Sequence, residues 1–191
     1  MYFNQMTMDG IPDRKSIALV VIDVQDRFMP VIFEMCRVAD ACSKLVKSLK
    51  ILKIPVVFTE QYPQGLGQTI PDLAVLMEDK PLEKIEFSCF KNKAFKEQMT
   101  KLKKSGVKQL VLCGIEAHVC VLQTALDAID EGFGVYVAED ATSSRKRTDW
   151  QTAMDRLQQS GAYRVSTEMI IFQLMEKAGT EEFKQVQAII K

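Results

Sequence analysis

Short, uninterrupted apolar runs separated by amphipathic segments constrain this chain more than any other feature. Ser16 to Asp23 reads SIALVVID and Ile54 to Thr59 reads IPVVFT; Val107 to Gly114 and Phe133 to Ala138 are of the same kind. A strand with no polar alternation is buried on both faces, as in a parallel sheet covered by helices on each side. Between the runs the spacing changes to that of helices. Val38, Cys42, Leu45, Val46, Leu49 and Leu52 mark a helix within 31–53, and Lys91 to Ser105 is amphipathic with Gly106 as its stop. Further helices are predicted from about Ala117 to Glu131 before Gly132, from Asp149 to Ser160 before Gly161, and over Glu168 to Met175 and Glu181 to Ile190. A Gly- and Pro-containing loop is expected over Glu60 to Gln68, a short helix or turn over Pro71 to Met77, and short strands over Ile85 to Cys89 and Tyr163 to Val165. Strands alternating with helices imply parallel crossovers, hence an α/β fold of three layers, α/β/α, with a mainly parallel central sheet. Such sheets bind ligands beyond the carboxyl ends of their strands, at a topological switch point. Asp23, Glu60 and the 114–120 turn fall at such ends.

The length of 191 residues suits one domain over 1–191, with 1–15 as a lead-in. Lysine plus arginine equals aspartate plus glutamate, 25 each, so the chain lacks the overall basic footprint of a nucleic-acid binder; Arg145-Lys146-Arg147 is a local exception. The five cysteines are scattered and form no C-x-x-C pair, which points away from a disulfide framework or zinc knuckle and towards a reducing, cytoplasmic setting. Met1 to Arg14 has no apolar stretch of signal-peptide kind, and no run is long enough to span a membrane. No membrane or nucleic-acid partner is expected.

Within this frame one cysteine stands out. Cys120 follows the strand Leu110 to Gly114 and opens a helix with apolar residues at Val121, Leu122, Ala125, Leu126 and Ile129. A helix N-terminus offers unpaired N–H groups and the positive end of the helix dipole, and both favour a thiolate. The alternative for Cys120 is a small buried core residue. Asp23 closes the first strand, and Lys84 precedes Ile85-Glu86-Phe87-Ser88-Cys89-Phe90. A carboxylate, an ammonium and a thiol at three strand ends would make a working site.

These residues carry a resemblance. Ala18-Leu19-Val20-Val21-Ile22-Asp23-Val24-Gln25, Lys84 before Phe87-Ser88-Cys89-Phe90, and Gly114-Ile115-Glu116-Ala117-His118-Val119-Cys120 resemble the motifs of the isochorismatase-like cysteine hydrolases, which include nicotinamidases. Thr59-Glu60-Gln61-Tyr62-Pro63, Gly65-Leu66-Gly67 and Asp140-Ala141 with Ser143-Ser144-Arg145 are similar to its isochorismatase domain-containing subgroup. The resemblance runs from about Ile17 to Ile190. It implies that Cys120 attacks an amide-type carbon, that Asp23 takes and returns its proton, and that Lys84 stabilises charge. It also implies a cis peptide between Ile115 and Glu116, an oxyanion hole from the N–H groups of Glu116 and Cys120, and a homo-oligomer acting on a small molecule without a cofactor.

The chain departs from the metal-dependent nicotinamidases. Its second strand ends in Thr59-Glu60-Gln61-Tyr62, and its single histidine is His118, so a histidine-rich metal site cannot be built. His118 precedes Cys120 by two positions on a tight turn, where a structural role fits better than that of the base. Phe28, Tyr62 and Phe90 are candidate pocket walls, with core packing as the alternative. Cys120 is expected to be more reactive than Cys36, Cys42, Cys89 and Cys113. Two other functions compete with the hydrolase: a non-catalytic interaction module of the same fold, and a ribonuclease.

Overall fold

The computed structural model describes residues 10–191. The first part of the expected polar lead-in, residues 1–9, lies outside the described residues. Six parallel strands form the sheet: β1 (Ile17–Ile22), β2 (Val56–Gln61), β3 (Leu82–Lys84), β4 (Gln109–Gly114), β5 (Gly134–Thr142) and β6 (Tyr163–Val165). Their order is β3-β2-β1-β4-β5-β6, with every neighbouring pair parallel. The chain therefore starts in the middle, builds outward to β3, crosses back, and builds outward again from β4. The reversal lies between β1 and β4, so the crevice at a switch point opens where β1 and β4 end.

Why the early strands read as unbroken apolar runs is visible in β1. Leu19 and Val21 enter one core, packed against α1 (Met35–Ile51), α7 (Thr167–Met175) and α8 (Glu181–Ile190). Ala18, Val20 and Ile22 enter the other, packed against α4 (Lys93–Lys104), α5 (Leu122–Asp130) and α6 (Arg147–Gln159). Side chains alternate across a strand, and here both faces are dry. Two one-turn helices, α2 (Pro63–Leu66) and α3 (Pro71–Ala74), lie between β2 and β3.

The sequence expectations hold for the layers and shift at some boundaries. The third strand is Leu82–Lys84, not Ile85 to Cys89: Gln61 pairs with Lys84, and the chain then leaves the sheet with Ile85 and Phe87 exposed. The alternation of Ile85, Phe87 and Cys89 imitated a strand but serves a turn. Glu60 and Gln61 extend β2 into the expected loop, and α1 begins at Met35 after turns over 29–34. Asn92 accepts from the Phe95 N–H at 3.1 Å and starts α4 two residues after Lys91.

Gly114 holds the two central strands together. It pairs with Ile22, has φ of +107°, and a Cβ there would lie 2.0 Å from the Ile22 carbonyl oxygen. Only glycine accepts both the backbone conformation and the approach. Gly114→Ala is expected to destabilise the fold by about 3 kcal/mol or more, from overpacking against backbone plus an unfavourable φ. Chemical denaturation of the two proteins checks this; equal midpoints would contradict the assignment.

Candidate active site

Asp23 follows β1 with φ of +53°, a left-handed conformation that aspartate tolerates better than most residues. Its N–H donates to the Thr59 carbonyl at 3.2 Å. The turn sends its carboxylate to the α4/α5 side of the sheet. There Thr59 Oγ1 donates to Oδ1 at 2.7 Å and Lys84 Nζ to Oδ2 at 2.6 Å. The ammonium also donates to Gln61 Oε1 at 2.7 Å and reaches the carbonyls of Glu86 at 3.3 Å and Phe87 at 3.4 Å. The side chains of Lys84 and Asp23 are each 1% exposed. A buried ion pair survives desolvation only when its other hydrogen-bonding sites are filled, and here they are.

The third arm comes from the far side of the switch point. After β4 the Ile115–Glu116 peptide is cis, and Ala117–Val121 forms a π-helical turn leading into α5. The Val119 and Val121 N–H groups donate to the Glu116 carbonyl at 3.1 and 3.2 Å, and the Ala117 N–H to the Ser143 carbonyl at 2.7 Å. The Glu116 carboxylate accepts from the backbone N–H and Nε of Arg145, both at 3.0 Å. His118 Nδ1 shares a 2.9 Å hydrogen bond with Ser144 Oγ, the structural role expected for it. Cys120, on the inner side of this turn, is 6% exposed and packs in the α4/α5-side core. Its thiol lies within electrostatic reach of both Asp23 and Lys84. Asp23, Lys84 and Cys120 are thus brought together, from the ends of β1 and β3 and the turn after β4.

The electrostatics differ from the simple picture of a helix-stabilised thiolate. Burial and the negative charge of Asp23 push the Cys120 thiol well above the ordinary cysteine range, with Lys84 only partly offsetting them. Cys120 rests as a neutral thiol facing a carboxylate. Burial works to lower the Lys84 pKa, but attraction to the Asp23 carboxylate outweighs it and the net shift is upward, so Lys84 remains an ammonium. Cys89 is a second thiol beside this site, pushed up to about 12 by burial and by Asp23. Cys36 is exposed, whereas Cys42, Cys89, Cys113 and Cys120 are buried. The neighbouring Cys42 thiol and burial push the Cys113 thiol well above the ordinary cysteine range.

Some expected site residues lie elsewhere. Phe90 is 2% exposed and packs edge-on to Phe95 and against Phe133, so it is core and not a pocket wall. Phe28 packs half-buried against the α1-side core. Tyr62 is 53% exposed just after β2. Glu60 is engaged elsewhere: its carboxylate accepts from the Thr69 N–H at 2.6 Å and Thr69 Oγ1 at 2.8 Å. In the sequence Thr59 and Gln61 stand out only as part of a motif, yet both touch the ion pair. Their spacing of two on a strand ending beside Asp23 was the available signal, because alternate strand residues share a face. Among the described residues no group of three or more His, Cys, Asp and Glu side chains is arranged to hold a metal ion.

Known proteins share this arrangement of chain and sheet. The isochorismatase domain matches residues 17–169. The chain is 39% identical over 180 residues to the secreted isochorismatase effector Isc1 of Phytophthora sojae, spanning 92% of this chain and 85% of that protein. It is 37% identical over 176 residues to human isochorismatase domain-containing protein 2, spanning 92% of this chain and 83% of that one. The structure of MAR1 ribonuclease from Caenorhabditis elegans superposes with a TM-score of 0.87 at 34% identity, covering 94% of this chain and 92% of the other. Six parallel strands reversing between β1 and β4, together with the domain match and these near-full-length relatives, establish that the chain belongs to the isochorismatase family of hydrolases.

Proposed function

We propose that this protein is a metal-independent cysteine hydrolase of a small amide or related carbonyl substrate. The observation that carries the reading is the fully buried Lys84–Asp23 pair at 2.6 Å beside the Cys120 thiol, at the switch point of the sheet. Because the thiol is neutral at rest, Asp23 acts as general base at the moment of attack. Cys120 Sγ adds to the carbonyl carbon as its proton passes to Asp23, and the carbonyl oxygen becomes an oxyanion. The Glu116 N–H has no acceptor among the described residues. With the Cys120 N–H it is available to that oxygen, and one such donor is worth about 3–4 kcal/mol in a transition state. Collapse breaks the C–N bond as Asp23 returns the proton to the leaving nitrogen. Water, deprotonated by Asp23, then hydrolyses the thioester, and Cys120 recovers its proton. Lys84 cannot serve as a base, since its donors face Asp23, Gln61 and two carbonyls. It places a fixed positive charge against Asp23 in a dry chamber.

The setting follows from the same features. Five free thiols support a reducing, cytoplasmic location, and no helix among the described residues is long and apolar enough to cross a membrane. Exposed Tyr62, Ile85 and Phe87 beside the site support a homo-oligomer that covers them. The name of the Caenorhabditis elegans relative raises ribonuclease activity. The histidine nearest the site is bonded to Ser144, and the reactive group is a thiol suited to acyl transfer.

Against a panel of small amides, the productive substrate should leave an acyl adduct on Cys120, seen by mass. Cys120→Ala and Asp23→Asn should each lose at least about 100-fold in kcat/KM, and dialysis against a chelator should leave the rate unchanged. RNA cleavage that survives Cys120→Ala, with no amide turned over, would overturn the reading.

In a Cys36→Ser background, alkylation of Cys120 should keep rising with pH beyond about 8.5, where an ordinary cysteine begins to level off. The sign follows from a thiol whose pKa is raised in the folded protein. A plateau near neutral pH would instead indicate a preformed thiolate. Lys84→Met should slow the reaction at every pH below that rise. It should also destabilise the fold by about 3–5 kcal/mol, since it leaves Asp23 buried without its counter-ion.

A further inference from the structure

Lys84 has a second strong acceptor that the mechanism above does not use. Gln61 Oε1 lies 2.7 Å from Nζ, almost as close as the Asp23 carboxylate at 2.6 Å. The Gln61 amide is fixed in orientation. Its Nε2 donates to the Ile85 carbonyl at 2.8 Å, so the oxygen must face the ammonium. Its backbone is fixed as well. The Gln61 N–H donates to Gln25 Oε1 at 2.8 Å, while Gln25 Nε2 donates to the Gln61 carbonyl at 3.0 Å and the Gly67 carbonyl at 2.6 Å. Gln25 itself sits two residues beyond Asp23 and is fully buried. A continuous chain of hydrogen bonds thus runs from the turn at Gly67 through two buried glutamines to the ammonium, and from there to Asp23.

The charge of this chamber is as informative as its geometry. A carboxylate at position 61 would also accept from Lys84, but it would place a second negative charge on the buried ammonium. That charge would compete with Asp23 for the ammonium and disfavour a thiolate still further. A neutral amide provides the geometry without the charge. We propose that Gln61 is a positioning residue, its amide holding the Lys84 ammonium on Asp23 while leaving Asp23, among the described residues, the one carboxylate in contact with that ammonium. Gln25 supports it by clamping the Gln61 backbone. This inference rests on the electrostatic role assigned to Lys84 above.

The test is the pH profile of Cys120 alkylation by iodoacetamide in full-length protein carrying Cys36→Ser, with Lys84→Met as the reference variant. Gln61→Glu, close in shape and facing a cation, should move the profile upward by about one pH unit, a tenfold slower reaction at fixed pH. Gln61→Met, which removes the acceptor without adding charge, should slow alkylation at pH 8 by several-fold, and less than Lys84→Met does. If Gln61→Met fails to fold, Gln61→Glu carries the test alone. A purely structural role predicts a lower melting temperature with an unmoved profile, and that result in Gln61→Glu would overturn the proposal. Should Lys84→Met shift the profile while Gln61→Glu does not, only the role of Gln61 falls. Should Lys84→Met leave it unmoved, the reading of Lys84 falls and the role of Gln61 with it.

Discussion

The buried contact between Lys84 and Asp23 is the constraint on which the site depends. Both side chains are 1% exposed, so neither charge has water to solvate it. Removing either partner from such a pair leaves the other uncompensated, at a cost of about 3–5 kcal/mol. The surroundings are arranged accordingly: Thr59 fills one oxygen of Asp23, Gln61 and two carbonyls fill the ammonium, and Gln25 fixes Gln61. The strand ends of β1, β2 and β3 must all be in register for these bonds to form. Local chemistry and global topology therefore impose the same geometry.

The parallel sheet supplies that register. A strand order that reverses between β1 and β4 leaves the crossover connections on opposite sides, opening a crevice at the carboxyl edge. Gly114 closes the approach of β4 to β1 and releases the chain into the turn that carries Cys120. The pair of charges comes from one half of the sheet and the thiol from the other. The thiol then meets a carboxylate in a dry environment, where burial and like charge raise its pKa and hold it neutral. In the proposed mechanism a thiol kept protonated until a base removes its proton is a different device from a thiolate stabilised by a helix end. Burial and the neighbouring carboxylate outweigh the pull of the helix end on the thiol.

Buried position also separates chemical role from reagent access. Cys36, on the exposed surface of α1, is the cysteine that solvent meets, whereas Cys120 is shielded on the inner side of its turn. Phe90 shows the same distinction for aromatic groups. It follows a strand end in sequence, yet its ring joins Phe95 and Phe133 in the core because the short helical turn over Cys89–Lys91 points it inward. Sequence distance from a strand end does not give a side chain's direction once the strand has stopped.

Read alone, the amino-acid sequence determined the layers, the parallel sheet, and Asp23, Lys84 and Cys120 as the residues to watch. Apolar runs such as Ala18 to Ile22 can satisfy both faces in only one kind of sheet, and helical periodicity marked what covers it. It did not determine where β3 lies, since Ile85, Phe87 and Cys89 alternate as a strand would while only Leu82–Lys84 pairs with β2. Nor did it reveal the partners of the ion pair. Thr59, Gln61 and Gln25 are ordinary polar residues in sequence, and their roles arise from contacts between residues 23 to 36 positions apart. The protonation state of Cys120 was decided in the same way, by tertiary structure, because it depends on how much water is excluded and which charge stands opposite. Periodicity is a local property that a sequence displays directly. Desolvation and charge proximity exist only after distant segments have packed.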